Sequence, residues 1–469
     1  MWTTQLIALL AAQYSAVVIA HPAPAPVPAP LPAVCAAGTQ SPAFYPRSAK
    51  ATTSTPVRAR ADAPAPAQYT ANPSLGGGGS TFVDSAHFRV YNGGSNAAAS
   101  LKHLEAAHAC FVEKLGWRTP GLSINTGGKG QEVGPWYKLN VYGMQDSELN
   151  GAAGVQQSDG AKGLAWLEVL TEYLADPRVV VHEYGHSMHY SEEKWVGQQN
   201  TGAWWEPMAN YIADTYWSTP ICNDARKAVG LPGVEGDSFI ALQKVISDSY
   251  QVIVDGTVDT GNYYESYPFL SYLTFNPDNT TALGPSALLT MIRTYVADSN
   301  DTPLHVLARL LPATTSLQHL IGRYWARMAY VDIAHPKAHA AFLAQRSTLV
   351  YGNIARSSGS TYAVVPARAP RYMGANINPL KITAGASSVS VAVTADAAYS
   401  ATLVVSSKAG VSYTDVVQGK ASAAVAQGDE VSFVIANTPA QLVKYDPFDI
   451  PAALNKGLGY SVVVTGATA

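Results

Sequence analysis

The run His182-Glu183-Tyr184-Gly185-His186 brings together residue types that bind metals and move protons, at a spacing that lets them act on one point. On a helix, positions i and i+4 lie one turn apart on one face, so His182 and His186 can offer two imidazole nitrogens to a single ion. Glu183, beside the first of them, is placed to accept a proton from a water on that ion. A third ligand candidate, Glu206, follows His186 after nineteen intervening residues, in Trp204-Trp205-Glu206-Pro207-Met208-Ala209-Asn210. Zinc (Zn2+) takes such ligands in a tetrahedral shell, and a catalytic zinc keeps one position open for water. These residues therefore suggest zinc-assisted hydrolysis. The plainer readings are two ordinary helix histidines and a surface or capping Glu206; the tryptophans before Glu206 argue for a partly buried setting.

Local signals say how these residues are positioned. Asp176-Pro177 before Val179-Val180-Val181 reads as an N-cap followed by proline at the first helical position, which predicts a helix from about 177 to 190. Gly185 costs that helix about 1 kcal/mol relative to alanine, and it removes a side chain where another element can approach. Pro207 suits only a first turn, so Glu206 is expected near a helix N-terminus. His189 lies near the face of His182 and His186. A metzincin-type site would need glycine at 189 and histidine at 192, and the chain has His189 and Glu192, so His189 is read as a neighbour of the site or a solvated histidine.

The interval from His186 to Glu206 is similar to that of the thermolysin-like gluzincin zinc peptidases, which place a ligand glutamate on the following helix. The chain resembles that group at His182, Glu183, His186 and Glu206. The resemblance implies a zincin-like α+β domain, mainly helical around the active helix with a small sheet, holding zinc through His182, His186 and Glu206. Those enzymes carry a carboxylate where this chain has Asn210, one turn beyond Glu206; an asparagine accepts the same N–H bond without the charge. Asp214, a turn further on, is the fallback, either as the group that holds a ligand histidine or as the third ligand. In such enzymes a strand above the active helix pairs with extended substrate. Residues 136–142, where Tyr137, Leu139 and Val141 alternate with Lys138, Asn140 and Tyr142, read either as that strand or as an ordinary internal one.

A peptidase of this kind also needs a hydrogen-bond donor for its oxyanion. Tyr264 and Tyr267 in Tyr263-Tyr264-Glu265-Ser266-Tyr267-Pro268-Phe269-Leu270 are the candidates, with His319 and His335 as weaker ones, although most tyrosines in such a cluster simply pack. From about Ala86 to the end, the order of features resembles a family of secreted fungal and bacterial proteins that join a gluzincin-like domain to a C-terminal β-sandwich. His87-Phe88, Val141-Tyr142-Gly143, the HEYGH run, Trp204-Trp205-Glu206 and Tyr267-Pro268-Phe269-Leu270 carry that resemblance.

The chain has 469 residues, a formal net charge of −3 and no lysine or arginine run, which argues against nucleic-acid binding. Leu6 to Ala20 is a short apolar stretch ending Val18-Ile19-Ala20, similar to a secretory signal peptide, so the expected address is extracellular. No later stretch reaches the roughly 20 apolar residues of a membrane span. The 3 cysteines allow at most one internal disulfide. Cys110 and Cys222 are the favoured pair, with Cys35 left over, but spacing does not decide it. Asn279-Thr280-Thr281 and Asn300-Asp301-Thr302 are glycosylation sequons if the chain is secreted.

The expected layout is a signal peptide over 1–20, a Pro/Ala-rich pro-region or linker over 21–79, a gluzincin-like domain over 80–372 and a β-sandwich module over 373–469. Arg58-Ala59-Arg60 in the linker is a possible processing site. Ala86 to Tyr91 is a plausible first strand, and Leu101, Leu104, Ala107, Cys110, Phe111 and Leu115 mark a helix with a core face. From about Gly374, alternating runs such as Val389/Val391/Val393 and Val431/Phe433/Ile435 read as an all-β sandwich. Tyr399, Tyr413, Phe433 and Tyr445 make a sugar-binding platform possible there without favouring it. The expected partner is a peptide or protein substrate, with glycan or cell-surface material a further possibility through the sandwich. The alternative is a secreted surface- or carbohydrate-binding protein with a structural or vestigial zinc site.

Overall fold

The computed structural model describes residues 65–125, 134–149, 151–195, 199–234, 236–257 and 264–469. The signal-peptide, Cys35, Arg58-Ala59-Arg60 and Tyr263 readings lie outside them. What the described part shows is mixed helix and sheet, followed by a β-rich C-terminal region built of antiparallel sheets.

Strands β1 (Phe82–Asp84), β2 (Phe88–Tyr91), β3 (Leu139–Met144), β4 (Gly154–Asp159) and β5 (Leu164–Leu170) form the first sheet, in the order β1-β2-β3-β5-β4. The pairs β2/β3 and β3/β5 are parallel, while β1 and β4 close the two edges antiparallel. Two helices lie against this sheet. Helix α1 (Ala97–Ala107) runs on into a π-helical segment, His108–Lys114, and α2 (Pro177–Ser191) carries the HEYGH run. Asp176 caps α2 by accepting the Arg178 N–H at 2.9 Å, with Pro177 at the first helical position. The strand expected over 136–142 is the interior strand β3. It has hydrogen-bonded neighbours on both sides and so cannot take up a substrate backbone; the edge beside α2 belongs to β4.

Helix α3 (Trp205–Ser218) packs across α2, followed by α4 (Asn223–Ala228), α5 (Tyr267–Phe275), α6 (Ala287–Thr294), α7 (Pro303–Leu310), α8 (Leu317–Met328) and α9 (Pro336–Gln345). A disulfide joins Cys110 on the π segment to Cys222, just before α4. The tail ahead of β1 is more engaged than its Pro/Ala-rich composition suggests. Tyr69 and Leu75 are buried, Thr70 bridges Tyr137 just ahead of β3, and the Leu75 carbonyl accepts from Asn140 and Tyr142 of that strand.

Two five-stranded sheets make the C-terminal sandwich, β11-β10-β13-β8-β15 and β12-β9-β14-β7-β6. Their strands are β6 (Ile354–Ser358), β7 (Thr361–Val364), β8 (Ala375–Ile382), β9 (Ser388–Ala395), β10 (Tyr399–Ser407), β11 (Gly410–Asp415), β12 (Lys420–Ala424), β13 (Glu430–Asn437), β14 (Tyr460–Thr465) and β15 (Ala467–Thr468). β6 and β7 precede Gly374, so the sandwich recruits chain from before the texture change. β13 is buried on both faces. Val431, Phe433 and Ile435 enter the sandwich core, while Val434 and Ala436 join the core that contains the helices. Helix α8 covers this face, and the Trp325 indole N–H donates to the Met373 carbonyl at 2.8 Å. Gly322 permits that contact, since a Cβ there would meet Ser400 Cβ at 2.5 Å.

Among the described residues no helix is long and apolar enough to cross a membrane. The sugar-platform aromatics are mostly spent on packing: Phe433 and Tyr445 are buried, and the Tyr413 hydroxyl donates to Asp332 at 2.6 Å. Asn279 and Asn300 are exposed.

The disulfide spans 112 residues, so it removes much of the freedom of the unfolded chain. Replacing Cys110 and Cys222 together by alanine is expected to lower unfolding free energy by about 3–5 kcal/mol in denaturant titration.

Candidate metal centre

His182 and His186 project from one face of α2, and their Nε2 atoms lie 3.1 Å apart. Glu206, in the first turn of α3, brings its Oε2 to 3.2 Å from His182 Nε2 and 3.4 Å from His186 Nε2. His182 is fully buried and the Glu206 side chain nearly so, while the His186 side chain keeps 9% of its surface exposed. Burial works to raise the Glu206 carboxyl, but the charge of His186 and the pairing with both imidazoles outweigh it and bring it down to about 2. It is therefore a carboxylate.

Asn210, one turn along α3, fixes which nitrogen of His182 carries the proton. Its Nδ2 donates to the Tyr264 carbonyl at 2.8 Å, so its Oδ1 is the atom facing His182 Nδ1 at 2.9 Å. An amide oxygen can only accept, so Nδ1 donates and the Nε2 lone pair of a neutral His182 points at Glu206 and His186. Two acceptors, the His182 lone pair and the Glu206 carboxylate, then face each other at 3.2 Å, with His186 Nε2 at 3.1 and 3.4 Å from them. Such a meeting repels unless positive charge lies among them. One proton bridges two of the three; a metal cation satisfies all of them at once.

The helices can come this close because of Gly185. A Cβ at that position would meet Ala209 Cα at 3.2 Å and Ile212 at 3.3 Å, so any larger residue pushes α3, and Glu206 with it, away from α2. Glu183 is fully buried on the sheet side of α2. Its carboxylate lies over Gly154 of the edge strand β4, where a Cβ would meet Glu183 Cγ at 2.8 Å and Oε1 at 3.1 Å. Sequence reading missed Gly154 and β4. The available signal was Asp159-Gly160, a hairpin turn pair between β4 and β5.

Other candidates fall elsewhere. Asp214 does not reach the ligand histidines. Its Oδ2 pairs with His335 Nε2 at 2.7 Å and its Oδ1 accepts the Phe239 N–H at 3.2 Å, because it projects from α3 more than two turns past Glu206. His335 is thereby committed as well, and it also caps α9. Tyr267 is buried against Phe239 with its hydroxyl 3.4 Å from Ser238 Oγ, which removes it as an oxyanion donor. His319 sits exposed near Asp415 on α8. Tyr264 does come to the site, through the carbonyl that holds Asn210. His189 is buried edge-on to Trp195 with neither ring nitrogen hydrogen-bonded, and burial followed by the charge of His186 pushes it down to about 3. It is a neutral neighbour of the site.

No family model, no curated protein and no solved structure matches this chain.

Truncating Asn210 to alanine removes the group that orients His182, and is expected to weaken metal binding about 10–100-fold in competition with a chelator while leaving the fold intact. Unchanged affinity would mean that His182 is held by packing alone.

Proposed function

We propose that this protein is a secreted zinc-dependent peptidase of the gluzincin type, hydrolysing peptide bonds at the site formed by His182, His186 and Glu206. The observation that carries this reading is the mutual spacing of the three donor atoms. Ligands at about 2.0–2.1 Å around a tetrahedral zinc stand about 3.3 Å from one another, and these stand at 3.1, 3.2 and 3.4 Å. Two imidazoles and one carboxylate also match the donor chemistry of catalytic zinc, which leaves a position for water.

When bound, zinc supplies a Lewis acid that polarises a carbonyl and makes water easier to deprotonate. The rest falls to the protein. Glu183, next in sequence to a ligand and enclosed beneath β4, takes a proton from the attacking water and delivers it to the departing amine. β4 offers an open strand edge beside that carboxylate, suited to holding an extended peptide by backbone hydrogen bonds. Glycine at 154 allows the edge and the carboxylate to lie against each other. Tyr264 is the proposed source of a hydroxyl for the oxyanion. His182 keeps its Nδ1 proton on Asn210 throughout, so its Nε2 stays a ligand.

A second reading, a surface-binding protein with a structural metal site, draws on the complete burial of Glu183 and on Tyr267 being turned away. One variant separates the two. Glu183→Gln keeps the shape of the side chain and removes the base, so peptide-library hydrolysis should fall at least about 100-fold while metal content stays at one ion per site. Wild-type protein that carries zinc but cleaves no peptide would favour the structural reading. Full activity in Glu183→Gln would sink the proposed mechanism.

A further inference from the structure

Beside the open edge of β4, on the face of the first sheet turned away from α2, stand three linked side chains that the proposed hydrolysis does not use. β4 and β5 pair antiparallel, with Gln157 opposite Trp166 and Val155 opposite Glu168. Opposite residues share a face of a sheet. Leu167 and Val169, which alternate with Trp166 and Glu168, join the core that contains α2. Gln157, Trp166 and Glu168 therefore lie on the far face, where all three are half-buried. We propose that they form a subsite for an arginine or lysine side chain of a peptide lying along β4, which makes cationic peptides the substrates. The proposal rests on the reading of this chain as a peptidase that holds substrate on that edge.

Hydrogen bonds aim the carboxylate at the edge. The Trp166 indole N–H donates to Glu168 Oε1 at 2.9 Å, and Gln157 Nε2 donates to Glu168 Oε2 at 3.3 Å. Gln157 belongs to β4 itself, so the second bond draws the carboxylate across from β5 toward the open side. Both donors are neutral, and no cation among the described residues pairs with Glu168. Lys162, at the turn joining β4 to β5, is spent on Asp159 at 3.5 Å and on the Ser74 carbonyl at 2.6 Å. The negative charge beside the edge is thus left for a ligand to match.

A peptide added to β4 would run about 4.8 Å beyond it and send alternate side chains to the two faces of the sheet. One set faces the α2 side, where Glu183 lies over Gly154. The other set falls on the face of Gln157, Trp166 and Glu168. A lysine or arginine there can lay its apolar stem along half-buried Val155 and bring its charged head to Glu168. Trp166 adds a ring face, and tryptophan is the best of the aromatic partners for a cation. An aspartate or glutamate at the same place would meet a like charge, so the subsite rejects acidic residues as well as selecting basic ones.

The test uses the full zinc-loaded chain and peptides that carry either arginine or citrulline, its neutral isostere, at each position in turn around the cleaved bond. At one position wild type is expected to favour arginine about tenfold in kcat/KM, through a half-buried ion pair and a cation–ring contact together. That preference should shrink as salt is added. Glu168→Gln should bring the two peptides level. Glu168→Lys should turn the preference toward glutamate at the same position, a reversal that damage to the fold cannot produce. A wild type indifferent to arginine, or a preference unaltered in both variants, overturns the proposal. If wild type cleaves no peptide, binding of the same peptides is read by fluorescence anisotropy. Tighter binding of arginine than citrulline in wild type but not in Glu168→Gln would then mean that the peptidase reading fails and the subsite stands; equal binding would mean that both fail.

Discussion

Everything at the centre of this molecule depends on how closely α3 approaches α2 at Gly185. The glycine lets Ala209 and Ile212 press against the backbone of α2. That contact sets the depth at which Glu206 and Asn210 enter. Glu206 completes the candidate donor set and Asn210 decides the tautomer of His182, so one missing side chain controls both how many donors meet and which nitrogen of His182 carries the proton. A helix interior without Gly185 would be more stable by itself. The cost is accepted where it brings a buried carboxylate to 3.2 and 3.4 Å from two imidazoles.

The same helix divides the domain's polar interior. One face carries His182 and His186 toward α3, Glu183 lies under the edge strand β4, and Tyr184 reaches across to His108 and Phe88. His182 and Tyr184 meet the cost of burial through defined partners, whereas His189 meets it by staying neutral. The sandwich adds to this by support, not by reach. α8 lies between it and the helical core, and β13 contributes alternate side chains to each of the two cores.

Much of this was legible in the sequence, and the reasons are local. Asp176-Pro177 announces the start of α2, the i, i+4 histidines announce the pair, and Pro207 places Glu206 in a first turn, since each signal depends only on nearby backbone geometry. Alternation in the last hundred residues likewise announces strands. What stayed hidden depends on distant partners. Asp214 looked like a neighbour of the ligands until His335, 121 residues away, claimed it. Tyr267 carries the same chemistry as Tyr264, and only packing against Phe239 separates them. β4 has the polar sequence Gly-Val-Gln-Gln-Ser-Asp, which lacks an apolar rhythm because it is an edge. The π segment looks like the end of an ordinary helix, so the contact of His108 with Tyr184 has no linear signature.

The central claim is that three protein donors, two imidazoles and one carboxylate, hold a zinc ion with a position left for water. Zinc-edge X-ray absorption of the protein loaded with one equivalent of zinc measures that directly. The account predicts four nitrogen or oxygen neighbours at about 2.0–2.1 Å with outer-shell scattering from two imidazoles, and loss of this spectrum in Glu206→Ala. A shell lacking histidine, or one unaltered by removal of Glu206, would contradict it.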